Sequence, residues 1–182
     1  MKIVAAAFAI VLAGGAQTRA QEIRTADVVE AIVPPRIELG GGGGVSATSP
    51  DVGALASIPL GDRLSLDIGA SYLMRVWRSP AYVLSQAQLR IPFRARLRSR
   101  YSLLVGVTHL DPIDAREGDS PVWREDGVDS FPHAGASLQW PLPGPNADLR
   151  VDAQMIIQGG ELIPVVPRAV AVVVWHPTGG AR

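Results

Sequence analysis

The sequence predicts an all-β fold: an antiparallel up-and-down barrel of about eight strands that crosses a membrane. Three observations carry that expectation. From Arg36 onward apolar and polar residues alternate with a period of two, the mark of strands with one polar and one apolar face. Hydrophobic residues make up 47% of the chain, yet no apolar run beyond Ala20 is long enough for a membrane helix, which needs roughly 20 residues. Cysteine is absent, so there is no disulfide scaffold, thiolate metal site or cysteine nucleophile. A closed barrel is the other structure that satisfies every backbone group inside lipid.

The chain divides into three parts. Residues 1–20 read as a cleavable signal peptide. Lys2 supplies the positive start, Ile3 to Ala13 the apolar run, and Thr18-Arg19-Ala20 a small-x-small site before Gln21. Residues 21–35 form a periplasmic lead-in. Thr25 can cap a short helical piece over Asp27 to Val33, which Pro34-Pro35 would end. Residues 36–182 form the barrel domain. The formal charge is +0, which offers no basic footprint for nucleic acid.

The clearest strand is Leu64 to Trp77. Leu64, Leu66, Ile68, Ala70, Tyr72, Met74 and Val76 share one face, opposite Ser65, Asp67, Gly69, Ser71 and Arg75. Asp148 to Ile157 is equally regular, with Leu149, Val151, Ala153, Met155 and Ile157 against Asp148, Arg150, Asp152 and Gln154. Weaker alternation covers Arg36 to Ser46, Val83 to Ile91, Tyr101 to His109 and His133 to Trp140. Val52 to Leu60 is a poor strand, made poorer by Pro59. Ala169 to Trp175 is apolar on both faces, as in a buried strand of a soluble protein.

The connections fit the same plan. Gly61-Asp62, Arg78-Ser79-Pro80 and Pro141 to Asn146 read as turns, and Asp111 to Ser130 as the one long loop. With a periplasmic N-terminus, the connection after the fifth strand lies outside the cell, where such barrels carry their longer loops. Trp77, Trp140 and Trp175 stand at strand ends, where an aromatic girdle meets the membrane interface.

Over roughly Arg36 to Trp175 this pattern resembles the small eight-stranded outer-membrane barrels, similar to the transmembrane domain of outer-membrane protein A. Trp175 near the end of the last strand is part of the likeness. The resemblance implies outer-membrane localisation, with membrane lipids and the outer-membrane assembly machinery as partners and no cofactor.

The inward polar face carries both charges: Arg36, Glu38, Asp67, Arg75, Arg90, Asp148, Arg150 and Asp152. Buried charges persist when paired and hydrogen-bonded. An eight-stranded barrel is just wide enough for its own side chains, so these residues are expected to form a salt-bridged plug. Arg94, Arg96, Arg98 and Arg100 alternate on one stretch and could hold anionic headgroups through their guanidinium groups. Gly40 to Gly44 lacks the lysine and helix of a phosphate loop, so its glycines read as structural. The acidic loop residues Asp111, Asp114, Glu117, Asp119, Glu125, Asp126 and Asp129 miss the calcium-loop spacing, and no metal is expected.

No catalytic constellation emerges. The lipid A deacylases, hydrolases of this barrel size, carry a His-x-Ser pair on one strand. Here four strand residues separate His133 and Ser137 by roughly 13 Å, too far for a nucleophile and its base. His109 is followed by Leu110 and Asp111, with no serine at the second position, and His176 adjoins Pro177. The expectation is therefore a non-enzymatic outer-membrane barrel with a structural or interaction role. Two alternatives stand beside it. One is a lipid A-modifying enzyme, which a titratable cluster on the outer rim would support. The other is a soluble periplasmic barrel for an apolar ligand, which would need the Leu64 to Val76 stripe to face inward.

Overall fold

The computed structural model describes residues 36–47, 49–76, 80–96, 99–113, 130–143, 146–158 and 165–177, excluding the side chains of residues 94–96. The signal peptide, the lead-in helix and Trp77 fall outside them, as does most of the long loop. Eight strands follow one another: β1 (Glu38–Ser46), β2 (Ser49–Gly61), β3 (Leu64–Leu73), β4 (Tyr82–Arg96), β5 (Ser99–Pro112), β6 (Ser130–Pro141), β7 (Ala147–Ile157) and β8 (Val165–Trp175). Each pairs antiparallel with its sequence neighbours, and β8 returns to pair with β1, closing the sheet. The fold is thus the expected all-β, up-and-down barrel.

Period-two alternation decides the facing. On β3 the even positions Ile68 and Tyr72 are exposed, while Ser65, Asp67 and Leu73 are buried inside. On β7 Asp148, Arg150, Asp152 and Gln154 point inward and Met155 and Ile157 outward. The apolar stripe therefore lies on the outer wall. The soluble-barrel alternative needed it inside and is overturned on that point.

Several strands differ from their sequence expectation. β3 stops at Leu73, its last partner on β4 being Tyr82, although the Met74 amide still donates to the Pro50 carbonyl of β2 at 2.9 Å. β2 is long and continuous despite its prolines. Pro59 stands where the β2–β3 register slips, and Pro92 stands at the corresponding slip between β4 and β5. A proline has no N–H to give the ladder, so an irregularity is where it does least harm. β8 is apolar outward but not purely apolar inward, since Arg168 occupies the face shared with Val166, Val170, Val172 and Val174.

The two ends differ. Short turns join β2 to β3, β4 to β5 and β6 to β7 at the end where β1 begins and β8 stops. Asn146 takes a left-handed φ of 62° in one of them, a conformation asparagine tolerates, and its carbonyl accepts from the His176 amide at 2.8 Å. The opposite end carries the connections 74–81, 113–129 and 158–164 beside the tight turn at Ala47. Phe93, Tyr101, Trp140 and Trp175 ring the outer wall at the turn end.

The glycines of β1 have two separate jobs. Gly40 makes room inside: a side chain there would run into the methyl groups of Val172 and Val174, each 2.8 Å away. Gly42 and Gly44 permit closure, since a β-carbon at either would meet the backbone carbonyls of Ala171 and Ala169 on β8. Gly41 points the other way, with its nearest neighbour at 3.7 Å.

Gly44→Ala and Gly42→Ala are therefore expected to weaken the β1–β8 seam by about 1–3 kcal/mol, the usual cost of overpacking. Gly41→Ala should be tolerated. The check is the temperature at which the folded, fast-migrating band disappears in a detergent gel. Equal behaviour of Gly41 and Gly44 variants would refute the seam.

Candidate functional site

The lumen is filled by a column of polar side chains that can be followed from the turn end upward. At the bottom, Arg90 donates to Glu38 Oε2 at 2.8 Å, to Ser57 Oγ at 2.8 Å and to Gln139 Oε1 at 2.9 Å. The Gln139 amide in turn donates to Glu38 at 3.1 Å and to Asp148 at 2.9 Å. Asp148 gathers further partners: the cations Arg100 and Arg36, the latter at 3.7 Å, and the His176 ring, with Nε2 at 3.0 Å.

The middle belongs to Arg150, whose side chain is wholly buried. Its Nε and Nη2 donate to both oxygens of Asp152, each at 2.7 Å, and Nη2 also reaches Asp67 at 2.5 Å. Arg150 and Asp152 are two apart on one strand and so share its inward face. Asp67 also faces Arg90 Nε at 3.5 Å, which links this layer to the one below.

Above them lies a neutral layer. His133 bridges Thr108 Oγ1 at 2.8 Å and Gln88 Oε1 at 3.0 Å, and Gln154 donates to the same Gln88 oxygen at 2.7 Å. Next comes Arg168, which donates to Asp51 at 2.6 Å, Gln86 at 2.6 Å, Gln154 at 3.0 Å and Ser71 at 2.9 Å. At the loop end the column gives way to an apolar cluster of Leu73, Tyr82, Leu84, Leu110, Phe131, Ile156 and Val166, all nearly or fully buried. A small void beside Arg168 and Asp152 measures about 20 Å³, room for about one water.

Six of the eight charges assigned to the lumen from sequence, namely Glu38, Asp67, Arg90, Asp148, Arg150 and Asp152, are buried in this column. Arg36 stands half-exposed at its mouth. Arg75 lies beyond the end of β3, because the strand stops at Leu73. The sequence reading missed the Asp51–Arg168 pair, because it started β2 at Val52 and β8 at Ala169. The signal was one residue outside each boundary. Arg100, grouped with the headgroup arginines, is largely buried against Asp148 and Glu38 instead. The side chains of Arg94 and Arg96, and all of Arg98, fall outside the described residues.

A second polar group sits on the outer wall. Away from the turn end, the described outward positions of the strands carry apolar, aromatic or glycine residues, except at Ser85, His109, Asp111 and Ser130. These four stand together at the loop end of β4, β5 and β6, because Ser85 and Ser130 both pair with His109 across the ladder. His109 Nδ1 lies 2.9 Å from Ser130 Oγ, and Nε2 lies 3.2 Å from Asp111 Oδ1. No spacing along one strand could reveal this, since 21 positions separate His109 from Ser130. Among the described residues no cluster suited to a metal ion occurs.

Arg150→Leu is expected to cost about 3–5 kcal/mol, because it strands the carboxylates of Asp67 and Asp152 without their cation. Adding Asp152→Asn should recover part of that loss. Thermal unfolding of the refolded barrel, followed by circular dichroism, measures both. A double variant no better than the single one would show that the two charges do not stabilise each other.

No protein-family model matches the sequence, and a search of curated proteins finds no relative. Among solved structures, the barrel is similar to the N-terminal β-barrel domain of Pseudomonas aeruginosa OprF, at TM-score 0.59 and 15% identity over 76% of this chain and 95% of that one. A de novo designed transmembrane β-barrel follows at TM-score 0.55 and 13% identity, covering 78% of this chain and 95% of the design. The Neisserial surface protein A gives TM-score 0.51 and 12% identity over 77% and 94%. At such identities the likeness is one of fold: this chain folds as the small eight-stranded membrane barrels do.

Proposed function

We propose that the protein is an integral outer-membrane barrel whose lumen is closed and whose role is structural or interactive. The observation that carries this reading is the distribution of polarity. Arg150, Asp67 and Asp152 are buried at the axis, while Ile68, Val105, Val107, Met155 and Val173 are exposed on the outer wall. In water the reverse arrangement would be favoured, since exposed apolar area costs roughly 25 cal/mol per Å². A hydrocarbon surround removes that cost.

Closure of the lumen rests on the ion pairs below and the apolar cluster above. An ion passing through would have to displace the Arg150–Asp152 bond pair and then cross Phe131 and Leu84. With its interior occupied, the barrel meets the cell through its outer wall and its loop end. Export through a signal peptide ending at Ala20 is part of the same proposal.

Two measurements test it. Ile68→Arg should lower barrel stability by roughly 2–4 kcal/mol, as for arginine at mid-membrane on a lipid-facing position. Ser71→Arg on the inward face should behave differently, crowding Arg168. If arginine at 68 leaves fractionation with outer membranes and heat-dependent gel mobility unchanged, the outer wall does not face lipid. In planar bilayers the purified protein should give no steady current. Sustained ion-selective conductance would sink the plug.

A further inference from the structure

The outer-wall group at the loop end has the form of a hydrolytic site. The geometry points to Ser130 as a nucleophile, His109 as its base and Asp111 as the group that orients the base, acting on the acyl ester of an envelope lipid. This rests on the lipid-facing outer wall proposed above and replaces the expectation of a non-enzymatic barrel.

Three observations support it. First, the hydrogen-bonding order is the productive one. Asp111 accepts from Nε2–H at 3.2 Å, which fixes the imidazole tautomer and leaves Nδ1 to accept from the Ser130 hydroxyl at 2.9 Å. Second, the group is accessible: His109 and Asp111 are 42% and 58% exposed in their side chains. It is also the polar interruption in an otherwise apolar wall. Third, His109 stands at the edge of a shallow, open groove of about 700 Å³ on the outer wall, lined by Ala54, Ala56, Ile68, Ala70, Ala87 and Val107. Small alanines between larger neighbours open this channel, and its apolar floor continues the wall that faces lipid. An acyl chain is the occupant whose chemistry matches both. Its ester end would then lie at the rim beside His109, whose neighbour across the next ladder is Ser130.

The reaction balances with water as co-reactant. Ser130 Oγ bonds to the ester carbonyl carbon as its proton passes to His109 Nδ1. The carbon–oxygen bond to the alcohol breaks, and His109 returns that proton to the departing oxygen. Water then attacks the acyl-serine, giving its proton to His109, and Ser130 regains a proton as the fatty acid leaves. Ser85 pairs with His109 from the side opposite Ser130 and lines the groove beside the imidazole.

The test uses the full-length chain in bilayer nanodiscs, with heat-dependent gel mobility confirming the fold of every variant. A fluorophosphonate probe should label Ser130, as located by peptide mass spectrometry, and the label should vanish in Ser130→Ala. Fatty acid release is measured from phosphatidylethanolamine–phosphatidylglycerol vesicles and, separately, from lipopolysaccharide, so that the lipid source is identified. Ser130→Ala and His109→Ala should each lower release by about 100-fold or more. Asp111 is a positioning residue, so Asp111→Asn should lower kcat with KM little changed, and Asp111→Glu should restore part of it. Ala56→Phe, which fills the groove, should raise KM for long-chain lipids.

Folded protein that leaves Ser130 unlabelled and releases no fatty acid overturns the proposal, as does release that survives Ser130→Ala. Cleavage of a short soluble ester with both lipids untouched overturns the lipid assignment. Labelled protein that fails to fractionate with membranes overturns the membrane reading and not the triad.

Discussion

Backbone pairing between Leu39–Ser46 and Arg168–Trp175 joins the first strand to the last, and everything else in the molecule is arranged around that seam. An unclosed sheet would leave β1 and β8 each with a row of unpaired N–H and C=O groups, costing several kcal/mol apiece in lipid. Closure turns eight marginal strands into one object with a defined inside. It also imposes a width, and the glycines of β1 show how tight that width is. Bulk could not be placed evenly around the wall, so β1 gives up its inward side chains at Gly40, Gly42 and Gly44 and the valines of β8 take the space.

A fixed narrow interior then decides the chemistry inside it. Inward positions on eight strands converge on a column that their side chains fill. Isolated charges there would be prohibitive, so each arginine is met by carboxylates or by amide oxygens. Arg150 and Arg168 illustrate the two solutions: the first leans on two aspartates, the second on one aspartate and the oxygens of Gln86, Gln154 and Ser71. The glutamines connect charged layers that would otherwise stand apart. Such a column also pins register, since sliding β7 by one residue would carry Arg150 and Asp152 to the lipid face together.

How far the sequence reveals this depends on whether a feature lives within a strand or between strands. Facing is a within-strand property, so the stripes of β3 and β7, and with them Ile68, Asp67 and Arg150, were legible from alternation alone. Boundaries were less so. Prolines hid the start of β2, and Ala169 masked the fact that Arg168 continues the inward face of β8. Pairing is a between-strand property fixed by shear, which no single strand encodes. That is why Arg150 could be placed inside without naming Asp67, and why Arg100 read as a headgroup ligand although it turns towards Asp148. The His109–Ser130 contact is the extreme case, because a long loop separates its members and only the β5–β6 register brings them face to face.

The filled lumen and the polar group outside it are connected by mechanics. A serine and a histidine on adjacent strands keep a hydrogen-bonding distance only if the sheet beneath them does not breathe. Behind β5 and β6, the inward neighbours of His109 and Ser130 are Leu110 and Phe131, members of the packed apolar cluster, and Thr108, which is tied to His133 on β6. The Thr108–His133 bond spans the same two strands from the inside that His109 and Ser130 span from the outside. A hollow barrel would leave that pair of strands free to shear. The packing that fills the lumen thus also braces the two strands that carry His109 and Ser130.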